Sequence, residues 1–216
     1  MKRVIISTFL FFVFLTGWAQ SFPVGELNDN MQRFYKGCMT LREGIASKDV
    51  ITLDKAIELL DDDAQNPDRI ELYNLNLGCA DTLNQCSMQG HMYYDADYAE
   101  FFKENMGLGV YSEAAESLRG KPSNCQIAHR AIKANSKVQY TVRMAGSCQM
   151  FVLAEIGGSI KAKVNFDNDK EFVGVSYDNG ALSYLKWEMN AFPAKEVTIT
   201  IENVCDKEIS YVIVSN

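Results

Sequence analysis

The sequence predicts an α+β fold in which a helical N-terminal module precedes an antiparallel β-sandwich. Three observations predict it. Apolar residues recur every three or four positions in several segments between Met31 and Leu118, and every second position in segments from Val138 onward. Between the two regimes, Arg119-Gly120-Lys121-Pro122-Ser123-Asn124 gathers the residue types that punctuate a chain. The N-terminus, finally, has the form of an export leader. The expected organisation is a signal peptide over 1–19, a helical domain over 20–120 and a β-sandwich over 121–216.

The leader comes first. Lys2 and Arg3 precede an apolar run from Val4 to Leu15, and Thr16-Gly17-Trp18-Ala19-Gln20 offers a small-residue exit, so cleavage is expected near Ala19. The run is too short for a comfortable membrane span, and no cysteine stands at the cleavage point to carry a lipid. The expected product is exported, to the periplasm, the cell surface or the medium, with no membrane span after cleavage.

Met31, Phe34, Tyr35, Cys38, Leu41 and Ile45 fall on one helical face, with Asn28 or Asp29 as N-cap. A second helix is expected over Val50–Leu60, its stripe running through Leu53, Ala56, Ile57 and Leu60. Asp61-Asp62-Asp63 would oppose the helix dipole, which places the helix end before them. From Arg69 to Met92, Gly78, Asp81, Asn84 and Gly90 break every period, and irregular chain is expected. A third helix fits Ala96–Met106, burying Tyr98, Phe101 and Phe102, and a fourth fits Tyr111–Leu118. The rings of Tyr93, Tyr94 and Tyr98 are a candidate ligand platform, since flat apolar faces with polar rims suit sugar rings. At helical spacing the same rings also suit a core.

Beyond residue 120 the period is two. Val138, Tyr140, Val142 and Met144 alternate with polar residues, as do Ile160, Ala162, Val164 and Phe166, then Leu185, Trp187 and Met189, then Val197, Ile199 and Ile201. Shorter strands fit Met150–Ala154, Phe172–Tyr177 and Ile209–Val214, and His129 falls in a first strand. Turn signals at Gly146-Ser147, Gly157-Gly158, Asp167-Asn168-Asp169, Asp178-Asn179-Gly180 and Asp206-Lys207 separate them. Strands of this length and spacing build a sandwich of jelly-roll or immunoglobulin-like type.

Val138-Gln139-Tyr140-Thr141-Val142, the Gly157-Gly158 turn, and the closing segments Val197–Asn203 and Ile209–Asn216 carry a resemblance. The chain from about Gln126 to its end resembles the pre-peptidase C-terminal type of bacterial β-sandwich. That resemblance implies a non-catalytic accessory module on an exported protein, a type often found beside a hydrolase. It covers under half of the mature chain, brings no catalytic residue, and here the other half contains no protease signature. The leader also resembles those of exported proteins from Bacteroidetes-type bacteria.

All six cysteines lie outside the leader, and an even count in an exported chain points to disulfides. Six cysteines allow 15 pairings. Without a derivation of connectivity, the set we expect is Cys79–Cys86, Cys148–Cys205 and Cys38–Cys125. A metal site built on Cys79, Cys86 and His91 would need closer ligand pairs and a fourth ligand.

Chemistry is sparse. The elbow motif G-x-S-x-G is absent, His91 and His129 are the only histidines, and pairs such as Asp95 with Asp97 or Glu100 with Glu104 are ordinary helix-surface spacings. Asp167, Asp169 and Glu171 resemble the first, third and fifth ligands of a calcium loop, but Phe172 stands where the turn needs Gly. A solvated hairpin turn is the competing reading. No phosphate loop or cofactor motif is present, so no cofactor is expected. Loss of Lys2 and Arg3 takes the net charge from -7 to -9, which disfavours nucleic acid.

The expected function is therefore a non-enzymatic exported protein, a binding or accessory module of the bacterial cell envelope with a protein or glycan partner. An exported hydrolase acting on peptidoglycan or polysaccharide and a structural subunit of an envelope assembly are the alternatives.

Overall fold

The structure is a computed structural model. It describes residues 22–64, 68–70, 72–81, 93–105, 125–144, 147–166, 170–177, 180–188 and 195–216. The leader, the expected fourth helix, the segment 119–124 and the turn 167–169 lie outside the described residues.

Helix α1 spans Asp29–Ser47, and the Asn28 side chain caps it by accepting from the Met31 N–H at 2.9 Å. It buries Met31, Phe34, Cys38 and Leu41, the face the periodicity marks. Helix α2 spans Val50–Ala64, with Asp49 accepting from the N–H groups of Ile51 and Thr52. Those bonds and the Thr52 hydroxyl hold the Asp49 carboxyl below its usual range. The helix thus runs through Asp61, Asp62 and Asp63 rather than stopping before them. The two helices approach closely because Gly37 and Gly44, one above the other on α1, leave room for Leu60 and Leu53. A Cβ on either glycine would stand 2.8 Å from a leucine carbon.

Helix α3 spans Ala96–Asn105 and is capped by Asp95. It buries Ala96, Tyr98, Ala99 and Lys103. Phe101 and Phe102, expected inside, are only half-buried, and Lys103 is buried instead because its ammonium pairs with Asp54 on α2.

The strands form two six-stranded sheets. They are β1 (Asp68–Arg69), β2 (Leu72–Asn74), β3 (Cys79–Asp81), β4 (Gln126–Ile132), β5 (Lys137–Met144), β6 (Ser147–Ala154), β7 (Ile160–Phe166), β8 (Lys170–Val173), β9 (Val175–Tyr177), β10 (Leu182–Glu188), β11 (Lys195–Asn203) and β12 (Ile209–Ser215). The first sheet has the order β1-β4-β12-β6-β10-β9 and the second β3-β2-β5-β11-β7-β8. All pairings are antiparallel except β1 with β4. This is the α+β fold with a β-sandwich that the two periods predict.

The irregular chain expected over 69–92 is corrected in part: β1 joins the first sheet, and β2 and β3 extend the second. Strands of two or three residues need only one or two inward side chains, here Leu72 and Asn74, and leave too short a pattern to read.

Three layers result. Ala128, Met150, Val152, Val164, Ile199, Ile201 and Ile213 belong to the core between the sheets. A second core joins α1, α2 and α3 to the first sheet, through Phe34, Leu41, Leu53 and Tyr94 on one side and Ile127, Phe151, Leu153 and Val214 on the other. Strands β4, β6 and β12 are therefore packed on both faces, with His129, Arg130 and Gln149 buried among apolar neighbours, and every residue of β12 is buried. The sheets are tied across the middle by the hydroxyls of Tyr140 and Tyr211 at 3.1 Å. At one side the chain passes from the second sheet to the first through Gly174, where a Cβ would lie 2.7 Å from both Ala162 O and Ser183 Oγ, so the expected single strand over Phe172–Tyr177 is split there.

Among the described residues no disulfide is formed. The expected Cys148–Cys205 bridge is excluded by position. Cys148 opens β6, whereas Cys205 meets Ser159, just beyond the far end of β6. The strand between them is about 20 Å long, and a disulfide needs Cα atoms within about 7 Å. Cys38 and Cys125 are both fully buried in the helix-side core. Cys79 lies on β3 and Cys86 is outside the described residues.

Candidate functional site

Tyr93, Tyr94 and Tyr98 do not form an exposed platform. They are 4%, 1% and 4% exposed and pack in the helix-side core, Tyr93 edge to face on Tyr94 with ring centroids 4.4 Å apart and tilted against Tyr98 at 4.8 Å. Their hydroxyls serve structure. Tyr94 Oη donates to Ala154 O at 2.9 Å and accepts from Arg42 Nη1 at 2.8 Å, and Ile156 N donates to Tyr93 Oη. Burial pushes the Tyr94 phenol well above its usual range and that of Tyr98 up to about 12, so both stay neutral. Tyr94 holds φ +61°, a left-handed conformation rare for an aromatic residue, stabilised by this packing and these bonds.

The other candidates do not converge. His129 sits on β4, 7% exposed, and burial with the neighbouring Arg130 lowers its pKa to about 4, which leaves a neutral structural imidazole. Asp95 is the α3 cap, while Asp97, Glu100 and Glu104 point to solvent. His91, Asp167 and Asp169 lie outside the described residues, and Glu171 is on β8. Among the described residues no group of three His, Cys, Asp or Glu side chains could hold a metal ion.

The outer face of the second sheet differs from every other sheet face: one face of each sheet lines the inter-sheet core, and the helices cover the outer face of the first. Alternation turns Gln139, Thr141, Lys163, Asn165 and Thr198 outward. Strand register lines these residues up in rungs. One rung runs Tyr73, Thr141, Thr198, Asn165 across four strands. The next runs Gln139, Thr200, Lys163, with Gln139 Nε2 donating to Thr200 Oγ1 at 3.3 Å. A third runs Lys137, Glu202, Lys161, with Lys137 and Glu202 paired at 3.3 Å.

At one end of this face the β2–β3 hairpin presents Tyr73, Leu75 and Leu77, which are 44%, 43% and 72% exposed. The hairpin is held rigidly for so exposed a feature. Asn74 Oδ1 accepts from the N–H groups of Asn76 and Leu77, Asn76 Oδ1 accepts from Gln139 N at 2.9 Å, and Leu75 N donates to Gln139 O at 2.9 Å. The sequence reading missed this surface because Leu72-Tyr73-Asn74-Leu75 inverts the usual rule: the polar Asn74 faces in to cap the turn, and the apolar Tyr73 and Leu75 face out. The register of Thr141, Thr198 and Asn165 was available only once strand pairing was known.

No family model matches the chain, and no curated protein matches it. Solved structures with a similar strand arrangement include the pre-peptidase C-terminal domain of a collagenase from Bacillus anthracis, 12% identical over 42% of this chain and 88% of that one, with a TM-score of 0.35. Another is PliG from Aeromonas hydrophila, a periplasmic inhibitor of g-type lysozyme, 10% identical over 43% of this chain and 84% of that one, with a TM-score of 0.32. Both likenesses cover under half of this chain.

Proposed function

We propose that the protein is a non-enzymatic, exported binding or accessory module of the bacterial cell envelope, of Bacteroidetes type, which holds a protein or glycan partner on the open face of its second sheet. One observation carries this reading: the helices cover one outer sheet face, and the other presents Tyr73 beside a row of hydroxyl and amide side chains on a rigid strand scaffold. The leader read from the sequence supports export. Among the described residues no helix is long and apolar enough to cross a membrane.

The test is a binding and turnover panel with the chain from residue 20 onward. Retention on glycan or peptide arrays, with the ligand recovered intact and retention lost in Tyr73→Ala, is the expected result. Cleavage of a panel member that one carboxylate substitution abolishes would replace the binding reading with a hydrolase. Amino-terminal sequencing of the protein from the cell envelope is expected to begin at Gln20.

A further inference from the structure

Resting on the export reading above, the structure assigns a gate to leader removal: we propose that Phe22–Glu26 is a strap, and that the leader is cut only from the form in which this strap has left the body of the fold.

Phe22 is the docked end of the strap. It is half-buried, and its ring centroid stands 4.7 Å from that of Tyr35 on α1, 6.1 Å from Phe151 on β6, 5.5 Å from Tyr177 on β9 and 5.2 Å from Tyr184 on β10. The ring thereby covers the helix-side core at the β9 edge of the first sheet. Val24–Glu26 then form one turn of 3-10 helix that buries none of its own side chains. The strap is also held by Gln149 Nε2, which donates to Glu26 O at 2.8 Å, and by the Glu26–Lys186 ion pair at 2.6 Å. Both members of that pair are exposed, and exposed pairs add little. Edge-to-face and tilted packing of the Phe22 ring on four aromatic partners therefore carries the docking. From Leu27 onward the chain belongs to the body: Leu27 is buried, and its carbonyl accepts from Gln32 Nε2 on α1 at 2.7 Å. A hinge between Glu26 and Leu27 lets the strap swing out with α1 in place, and segments with few buried contacts open at the lowest cost.

The expected cut adds water across the peptide bond between Ala19 and Gln20, leaving a carboxylate on Ala19 and an amine on Gln20. Gln20 and Ser21 alone separate that bond from Phe22, a span of about 7 Å when fully extended. A protease seats its substrate as extended chain on both sides of the cut, by main-chain pairing along its cleft. With Phe22 docked, the segment that must enter the cleft is held against α1 and β10, and the body of the protein stands at the cleft mouth. Docking and cutting therefore compete for Phe22. Where opening is fast relative to cutting, the rate of cutting follows the population of the open strap. The same competition sets an order: the leader leaves while the strap is open, and Phe22 then closes over Phe151 and Tyr184, both buried in the finished fold.

The experiment follows release of residues 1–19 from the folded full chain in detergent by a purified leader peptidase, read by mass spectrometry. The chains compared are the wild type, Phe22→Ala, and both again with a flexible spacer of about eight Gly and Ser residues inserted between Ser21 and Phe22. Melting curves check that each is folded, and a peptide of residues 1–30, with and without Phe22→Ala, gives the peptidase's own preference at that position. After division by the peptide rates, Phe22→Ala is expected to be cut about tenfold faster than the wild type. The chain with the spacer is expected to be cut as fast as Phe22→Ala, and its rate not to change when Phe22→Ala is added. Equal corrected rates in wild type and Phe22→Ala would overturn the gate, as would a spacer that leaves the wild-type rate unchanged. If neither the peptide nor any chain is cut between Ala19 and Gln20, the export reading itself is overturned, and the gate with it.

Discussion

His129, which the sequence places in a first strand as a structural residue, is structural in the fold. Its two neighbours in chemistry, a base role and a metal role, both need an accessible imidazole, and β4 buries it under the helices. Burial, and then the Arg130 charge, lower its pKa to about 4 from an ordinary 6.5, while a backbone contact at Tyr93 pulls weakly the other way. The folded state therefore resists protonation, the unfolded chain takes up a proton first, and stability falls as pH drops from about 6.5 to about 4. The shift corresponds to roughly 3 kcal/mol. In urea titrations His129→Leu is expected to flatten this part of the pH profile relative to the wild type; an unchanged slope would show the imidazole to be solvated. Tyr94 is the second such residue. Tyr94→Phe removes one donor to Ala154 O, which Arg42 Nη1 still reaches at 3.2 Å, so the expected loss is about 1 kcal/mol by urea midpoint. The structural role of both was legible from their place in a strand and at core spacing, but the groups that cover them were not, because a histidine or tyrosine carries no mark of what will pack on it.

At the scale of elements, long periodic stretches were legible and short ones were not. The α1 stripe and the alternation of β5, β7 and β11 follow from residue spacing alone, since each repeats its inward positions three or more times, whereas the sequence left the α1 cap open between Asn28 and Asp29. Strands β1, β2 and β3 repeat them once or twice, and the broken period around them concealed their place in the sheets. Gly37 and Gly44 were also silent. In isolation each reads as a weak helix residue, and only the α1–α2 contact shows that both accommodate leucines. Alanine is favoured over glycine in a helix by about 1 kcal/mol, and overpacking costs about 1 to 3 kcal/mol. Gly37→Ala and Gly44→Ala are therefore expected to lower the urea midpoint despite better propensity. A raised midpoint in both would mean that Leu60 and Leu53 move aside without cost.

The whole molecule is a three-layer arrangement whose middle sheet is packed on both sides. The sequence's two periods led to the correct fold class, yet they suggested a helical unit beside a sandwich, whereas the helices and the first sheet share one core. Residues 121–216 expressed alone would expose Ile127, Phe151, Leu153, Leu182, Val212 and Val214, and are expected to aggregate or bind a hydrophobic dye; a monodisperse fragment with a cooperative melt would contradict the shared core. With one outer face covered, the proposed binding surface is the second sheet, whose rungs no spacing rule could have assembled from Tyr73, Thr141, Thr198 and Asn165. The most direct test is threonine-methyl NMR of the chain from residue 20, titrated with solubilised bacterial envelope glycans and peptides. The account predicts shifts at Thr141 and Thr198 with Thr52 on α2 unmoved; shifts at Thr52 with Thr141 and Thr198 silent would contradict it.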